Sequence, residues 1–320
     1  MYLAADMHCD TISSLWRRNS QGDVQKLRSN DLSIDLEKMR AGNYLLQNFA
    51  MFVFLKDQED PLLQVLTLID AYYRQMEENT DWIAPVLRYE DIEKNRAAGK
   101  LSALLTVEEG GVCKGSLEAL RNLYRLGVRM MTLTWNFENE LGYPGTTMKN
   151  QPGTPMGLKP RGIEFVREMD RLGMIVDVSH LGDGGFWDVV KYTDGPFVAS
   201  HSNARTVCDH TRNLTDDMIR ALADKGGVMG LNFAGDFLRP GSSGTLDEMI
   251  AHLRHIRNVG GIDVMGLGSD FDGIDNVPEV ADASQMPKLA LAMERAGFTP
   301  REIDAVFSGN VLRVYREKLK

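Results

Sequence analysis

A closed parallel (β/α)8 TIM barrel, folded as a single domain over residues 1–320, is what the sequence predicts. Strand-like and helix-like stretches alternate along the whole chain. Several strand-like stretches run straight into a histidine or a carboxylate, as expected where parallel strands gather distant residues at one carboxyl-terminal rim. The chain's 320 residues, 43% hydrophobic and 25% charged, suffice for one large core. A doubly wound sheet is the alternative, but it concentrates ligands at one crevice and gathers so many strand ends less readily.

The first candidate strand, 4–9, leads into His8-Cys9-Asp10. Side chains two apart on an extended segment project to the same side, so His8 and Asp10 can reach one ion. Cys9 faces the other way and reads as a small core residue. A second strand is expected at 45–54 and a helix at 62–76. The third strand, 101–107, ends at Glu108, whose two oxygens can bridge two metal ions. Glu109, one position later, is the rival but should face the opposite way; a solvated loop acid before Gly110-Gly111 is the alternative for either.

Helix 116–126, stopped by Gly127, precedes strand 130–134, after which comes Trp135. The Gly- and Pro-rich stretch 138–159 follows a strand end and is expected to cover a site. Helix 162–172 stops at Gly173; strand 174–179 then ends at His180 and strand 197–200 at His201. Arg212 has a fork suited to a substrate carboxylate, or to a surface pair with Asp216 or Asp217. His210 beside it is at most an aid to substrate binding.

Thr215 caps helix 215–223, with Asp216 and Asp217 in its first turn, and Gly226 ends it. Strand 227–232 and helix 246–259 come next; His252 and His255 on that polar helix are expected at the surface or as caps. The last strand, 264–269, delivers Asp270, a carboxylate able to take a proton from an attacking water and return it to a leaving amine. Asp272 beside Gly273 reads as a turn former in a second irregular stretch, 271–287.

Three imidazoles and two carboxylates, His8, Asp10, Glu108, His180 and His201, thus form a set suited to two zinc ions. Composition narrows the function further. A net charge of -9 argues against electrostatic binding of nucleic acid. Cys9, Cys113 and Cys208 are too few and scattered for a disulfide framework, and no C-x-x-C occurs. No basic start with a long apolar run follows, so neither a signal peptide nor a membrane span is expected, and a cytoplasmic location is. The 17 Met residues read as core filler.

In order and approximate spacing, His8-x-Asp10, Val107-Glu108, Asp177-Val178-Ser179-His180, Ser200-His201-Ser202, Arg212-Asn213 and Gly268-x-Asp270-Phe271-Asp272-Gly273 resemble the membrane (renal) dipeptidase family of zinc metallo-dipeptidases, in the amidohydrolase superfamily. The resemblance runs from His8 nearly to the carboxyl terminus. It implies a (β/α)8 barrel with two zinc ions per chain: His8 and Asp10 on one, His180 and His201 on the other, Glu108 bridging. It further implies dipeptide substrates, including those with a D-residue at the C-terminal position, Arg212 on the terminal carboxylate, Asp270 as proton carrier, and a homodimer.

Two positions depart from that family. Family members carry a histidine after Leu-Thr-Leu-Thr, where it helps bind the substrate carbonyl; here Thr132-Leu133-Thr134 leads into Trp135. An indole donates one hydrogen bond but carries no positive charge. Trp135 is expected to line the pocket and favour bulky or apolar side chains, with Asn136 a substitute donor. Ala234 stands where the family's renal member has tyrosine, which leaves a smaller or more open substrate wall. Two other functions stay open: another metal-dependent amidohydrolase acting on an amide, lactam or lactone, and a catalytically weak protein that holds metal and peptide.

Overall fold

The computed structural model describes residues 2–57, 59–146 and 155–320. Its strands are β1 (Ala4–Asp6), β2 (Tyr44–Phe52), β3 (Ile83–Pro85), β4 (Leu101–Glu108), β5 (Met130–Thr132), β6 (Ile175–Asp177), β7 (Val198–Ala199), β8 (Val228–Leu231) and β9 (Met265–Leu267). All pairings between these strands are parallel, and β2 pairs with β4 from Leu46↔Ser102 to Phe52↔Glu108. That pairing closes eight strands into a barrel in the order β1-β2-β4-β5-β6-β7-β8-β9, and β9 returns to β1. The short β3, which the sequence reading lacks, pairs with β4 at Leu101–Ala103, below the stretch that meets β5.

The barrel has a plugged end and an open end. Leu46, Leu104, Met130, Ile175, Val198 and Val228 form one buried cluster with Val311, Val314 and Tyr315 of the C-terminal helix Asn310–Lys318. Asn48 of β2 donates to Tyr315 Oη at 2.6 Å. Two residues further along the strands the alternation brings polar groups inward: Thr106, Thr132, Asp177 and Ser200 are all buried. A larger apolar layer fills the space between strands and helices.

The helices start where local chemistry directs. Pro61 opens Pro61–Glu78 while the Asp60 side chain accepts from Leu63 N. Ser116 and Thr215 accept from backbone N–H groups three residues on, and Thr245 forms a reciprocal capping box with Glu248. Most strands are shorter than the apolar runs suggest. After β1, β6, β7 and β9 the next residues leave the ladder because side-chain carboxylates take over their N–H groups, as described below. His252 is corrected: it is fully buried, accepting from Ala204 N at 3.1 Å with its other ring nitrogen 2.9 Å from Leu238 O. One face of that polar helix packs on loops whose backbone groups need partners. His255 pairs with Asp216 at 2.7 Å.

Residues 147–154, the middle of the expected covering stretch 138–159, lie outside the described residues. Its earlier part crosses the open end: Gly145 N donates to His180 O at 2.7 Å, and Thr146 bonds Thr211. Among the described residues no helix is long and apolar enough to cross a membrane.

Candidate metal centre

Two buried aspartates shape the open rim. Asp6 accepts from His8 N at 3.2 Å, Ser269 N at 2.9 Å and Ser269 Oγ at 2.6 Å, tying the ends of β1 and β9 together. Asp177 accepts from Ser179 N at 3.0 Å, Ser200 N at 2.8 Å, and the hydroxyls of Ser200 and Thr132 at 2.6 Å each, tying β5, β6 and β7. Sequence reasoning gave neither residue a role. The signal was available: a carboxylate inside the apolar runs Ala4-Ala5-Asp6 and Ile175-Val176-Asp177 must find partners when buried.

The rim then turns sharply inward. His180 has φ 67° and Asp270 φ 63°, in the left-handed region that residues with a Cβ rarely adopt. Such a conformation costs roughly 1–3 kcal/mol and persists only where the surroundings enforce it. Gly268 permits the approach of neighbouring backbone, since a Cβ there would lie 1.8 Å from Ser200 O. Asp272 also adopts a left-handed turn and accepts from Thr11 Oγ1 at 2.6 Å and Ser33 N at 2.7 Å.

The five expected metal-ligating residues and Asp270 converge. His8 Nε2 lies 3.3 Å from Asp10 Oδ2, 3.3 Å from Glu108 Oε2 and 3.8 Å from Asp270 Oδ1. His180 Nε2 is 3.0 Å from Glu108 Oε1, and His201 Nε2 is 3.8 Å from the same oxygen. Three sets of donor atoms can each hold an ion: His8 with Asp10 and Glu108; Glu108 with His180 and His201; and His8 with His201 and Asp270. Glu108 belongs to two of them. The third was not anticipated from the sequence. Glu109, the rival of Glu108, belongs to none of the three sets. It is wholly buried rather than solvated, and accepts from Gly111 N at 2.7 Å, Asn139 Nδ2 at 2.5 Å and Trp135 N at 2.9 Å. Its left-handed φ of 97° turns it to this second job.

Do these residues fit a metal? Asn136 Oδ1 lies 2.9 Å from His180 Nδ1, which assigns that nitrogen the proton. Ser200 Oγ donates to Asp177, so it accepts from His201 Nδ1 at 2.7 Å. Both rings therefore aim an Nε2 lone pair into the cavity, and the two Nε2 atoms are only 3.0 Å apart. Two lone pairs so close are stable only around a cation. His8 Nδ1 and Nε2 and Asp10 Oδ1 are buried and without a hydrogen bond among the described residues. The fit is good; Asn136 Oδ1 orients His180, and Asn136 also lines the cavity.

Electrostatics divide the cluster. Burial, aided by the positive charge of Arg212 and of a protonated His8, holds His180 and His201 well below the usual histidine range. Burial pulls His8 the same way, but the carboxylates of Glu108 and Asp10 outweigh it and raise its pKa well above the ordinary value. Burial lifts Glu108 to about 7 against the pull of His8, with Asp10 lifting it further. It lifts Asp270 to about 6. Asp270 Oδ2 accepts from Asn232 Nδ2 at 2.9 Å.

Arg212 does not pair with Asp216 or Asp217, which bond His255 and Arg220 instead. It is buried beside the centre: Nη2 donates to His201 O at 3.2 Å, Nη1 to Ser202 Oγ at 3.4 Å, and Nε has no partner among the described residues. His210 accepts from Arg212 N at 3.1 Å and packs on Phe237. The cavity, of about 520 Å³, is lined by Asp10, Glu108, Trp135, His180, Arg212 and Asp270 among others, with Ala234 in its wall. That volume suits a small ligand.

Residues 2–320 match the family model described as membrane dipeptidase, peptidase family M19. An uncharacterised dipeptidase of Schizosaccharomyces pombe is 38% identical over 299 residues, which cover 88% of this chain and 71% of that one. Among solved structures, the dipeptidase AC, a metallopeptidase of family M19, is 26% identical with a TM-score of 0.91, over 99% of both chains. A metallopeptidase from Rhodobacter sphaeroides, solved with a phosphinate mimic of the dipeptide L-Ala-D-Ala, is 25% identical with a TM-score of 0.90, over 100% of this chain and 99% of that one. The chain belongs to the membrane dipeptidase family, and with it to the metallo-dipeptidases.

Proposed function

We propose that the cavity holds two zinc ions and hydrolyses dipeptides, including those with a D-residue at the C-terminal position. The observation that carries this reading is the meeting of the His180 and His201 Nε2 lone pairs 3.0 Å apart beside Glu108, a carboxylate shared between two possible ion sites. His8 and Asp10 would hold one ion, His180 and His201 the other, with Glu108 shared between them. Imidazole and carboxylate donors suit zinc. The ions supply Lewis acidity when bound: a polarised peptide carbonyl and a water whose pKa falls to about 7.

The chain's own groups do the rest. Arg212 takes the substrate's terminal carboxylate; its buried charge and unpartnered Nε favour an anionic partner. This anchor limits substrate length. Asp270 accepts the proton of the attacking water while Asn232 fixes its other oxygen. The water oxygen bonds the carbonyl carbon, the C–N bond breaks, and the departing nitrogen leaves with the proton that Asp270 carried. The small Ala234 leaves room in the cavity wall for a side chain of either hand. The relative solved with an L-Ala-D-Ala mimic supports the same breadth.

The test compares free and C-terminally amidated dipeptides on zinc-loaded protein. Amidated substrates should lose at least ~10-fold in kcat/KM, the scale of a lost charge-assisted hydrogen bond of about 1.5–3 kcal/mol. Arg212→Met should erase most of that difference. Equal kcat/KM for the two substrate classes in the unaltered enzyme would reject the role given to Arg212.

A further inference from the structure

The cavity wall has two chemically distinct arcs. Around β7, β8 and β9 stand Arg212, Ala234 and Asp270, with the buried Asn232 behind them. Asn232 Nδ2 contacts both Asp270 Oδ2, at 2.9 Å, and His201 O, at 3.2 Å; the same carbonyl accepts from Arg212 Nη2. Arg212 and Asp270 are thus neighbours. Across the barrel, at the ends of β2 and β5, stand Phe52 and Trp135. Their ring centroids are 4.9 Å apart. Behind them, Phe54 lies 5.6 Å and Phe137 5.3 Å from Trp135, and Phe54 meets Phe137 edge-on at 5.0 Å. The indole also lies 6.0 Å from the His180 ring. The backbone of Trp135 is pinned by Glu109, itself held by Gly111 and Asn139. The result is a rigid aromatic wall beside the centre.

We infer that this wall receives the side chain of the dipeptide's N-terminal residue and makes the enzyme selective for apolar, above all aromatic, residues at that position. The inference rests on the reading in which Arg212 holds the terminal carboxylate and Asp270 serves the leaving amine. Both groups belong to the C-terminal residue of a dipeptide, where one carbon separates them. That residue therefore occupies the arc of Arg212 and Asp270. The acyl half lies on the far side of the scissile carbonyl, which leaves it facing Phe52 and Trp135. A charged alternative stands at the same mouth: Arg17 lines the cavity, is exposed, and has no carboxylate partner among the described residues. An acidic N-terminal residue is thus the competing occupant.

Burial of a large apolar side chain against a preformed wall is expected to favour Phe-Ala over Ala-Ala by about 10- to 100-fold in kcat/KM, mostly through KM. The experiment measures kcat and KM of the zinc-loaded protein for Phe-Ala, Leu-Ala, Ala-Ala, Glu-Ala and Ala-Phe. Calorimetric binding of phosphinate analogues of Phe-Ala and Ala-Ala gives a second readout that needs no turnover. The Phe-Ala to Ala-Ala ratio should fall toward one in Trp135→Ala and in Phe52→Ala, each checked for fold by circular dichroism. Two variants on different strands guard against one that fails to fold, and the wild-type ratio stands without either. Three outcomes overturn the inference while leaving the dipeptidase reading intact: equal rates for Phe-Ala and Ala-Ala, a preference for Glu-Ala, or selectivity that follows the second residue. Failure of folded, zinc-loaded protein to cleave any of the five would overturn the dipeptidase reading and this inference with it.

Discussion

The β1/β9 edge of the rim and the β6/β7 edge are built on one plan and differ in charge. Each has a buried aspartate, Asp6 or Asp177, that accepts from the backbone and the serine hydroxyl of a neighbouring strand end. Each also has one residue held in a left-handed turn, Asp270 or His180. Yet the β6/β7 edge presents two neutral imidazoles whose outer nitrogens are already engaged by Asn136 and Ser200. The β1/β9 edge presents Asp10, Asp270 and a His8 whose ring has no hydrogen bond among the described residues. One edge is set in its metal-ready tautomers before any ion arrives. The other is a crowd of like charges that a proton on His8 relieves, and that a divalent cation would relieve better. The comparison teaches that the two proposed ion sites should differ in how they depend on protons and on their supporting aspartates.

The largest effect should come from the acidic edge. On the proposed reading, Asp270→Asn keeps both ions but loses roughly 10²–10⁴-fold in kcat. Single-turnover kinetics on protein of known zinc content checks this, and a near-wild-type kcat would remove Asp270 from proton transfer. Next come the two clamps. Asp6→Asn and Asp177→Asn should each weaken zinc binding about 10–100-fold. Asp6→Asn should loosen the ion shared by His8 and Asp10, and Asp177→Asn the ion of the imidazole pair. Zinc titration against a competing chelator reads the two affinities separately, and loss of the same ion in both variants would break the two-edge picture.

The smallest effect is on stability. In metal-free protein burial raises Glu108 to about 7 and Asp270 to about 6, above their ordinary 4.5 and 3.8, so both hold a proton more tightly folded than unfolded. Their contribution to stability is whole below those ordinary values and is lost as pH rises through the folded ones. The raised pKa of His8 acts in the same direction. His180 and His201, held low, act in the opposite direction around the ordinary histidine value, so the test is a comparison: the change in metal-free Tm from pH 5.5 to pH 8 should be more negative in the parent than in Glu108→Gln. A change over that interval that is equal in the two proteins, or more negative in Glu108→Gln, would contradict the charge assignment of the acidic edge.

Much of this was legible in the sequence because barrels write their sites at strand ends. Apolar runs ending in His8, Glu108, His180, His201 and Asp270 gave the fold and the converging set, since the strands could meet at one rim only by closing. The five helices expected from periodicity and stops lie within two residues of their observed bounds, because caps such as Ser116 and Thr215 act locally. What escaped depends on distant partners. Strand β3 is three residues long and is defined by its pairing with β4. His252 and Glu109 looked solvated because their hydrogen-bond partners come from other segments, among them Ala204, Leu238 and Asn139. Asp6 and Asp177 could be read as buried carboxylates in need of partners, but which strand ends they clamp is visible only once the strands lie side by side.

The central claim is that Glu108 stands between two ions, one for each edge. The most direct measurement is elemental analysis of zinc-replete protein together with anomalous scattering from its crystals. The account predicts two zinc ions per chain, about 3.5–4 Å apart, with a Glu108 oxygen on each, one ion on His8 and Asp10 and the other on His180 and His201. A single ion per chain, or density that leaves Glu108 outside both, would contradict it.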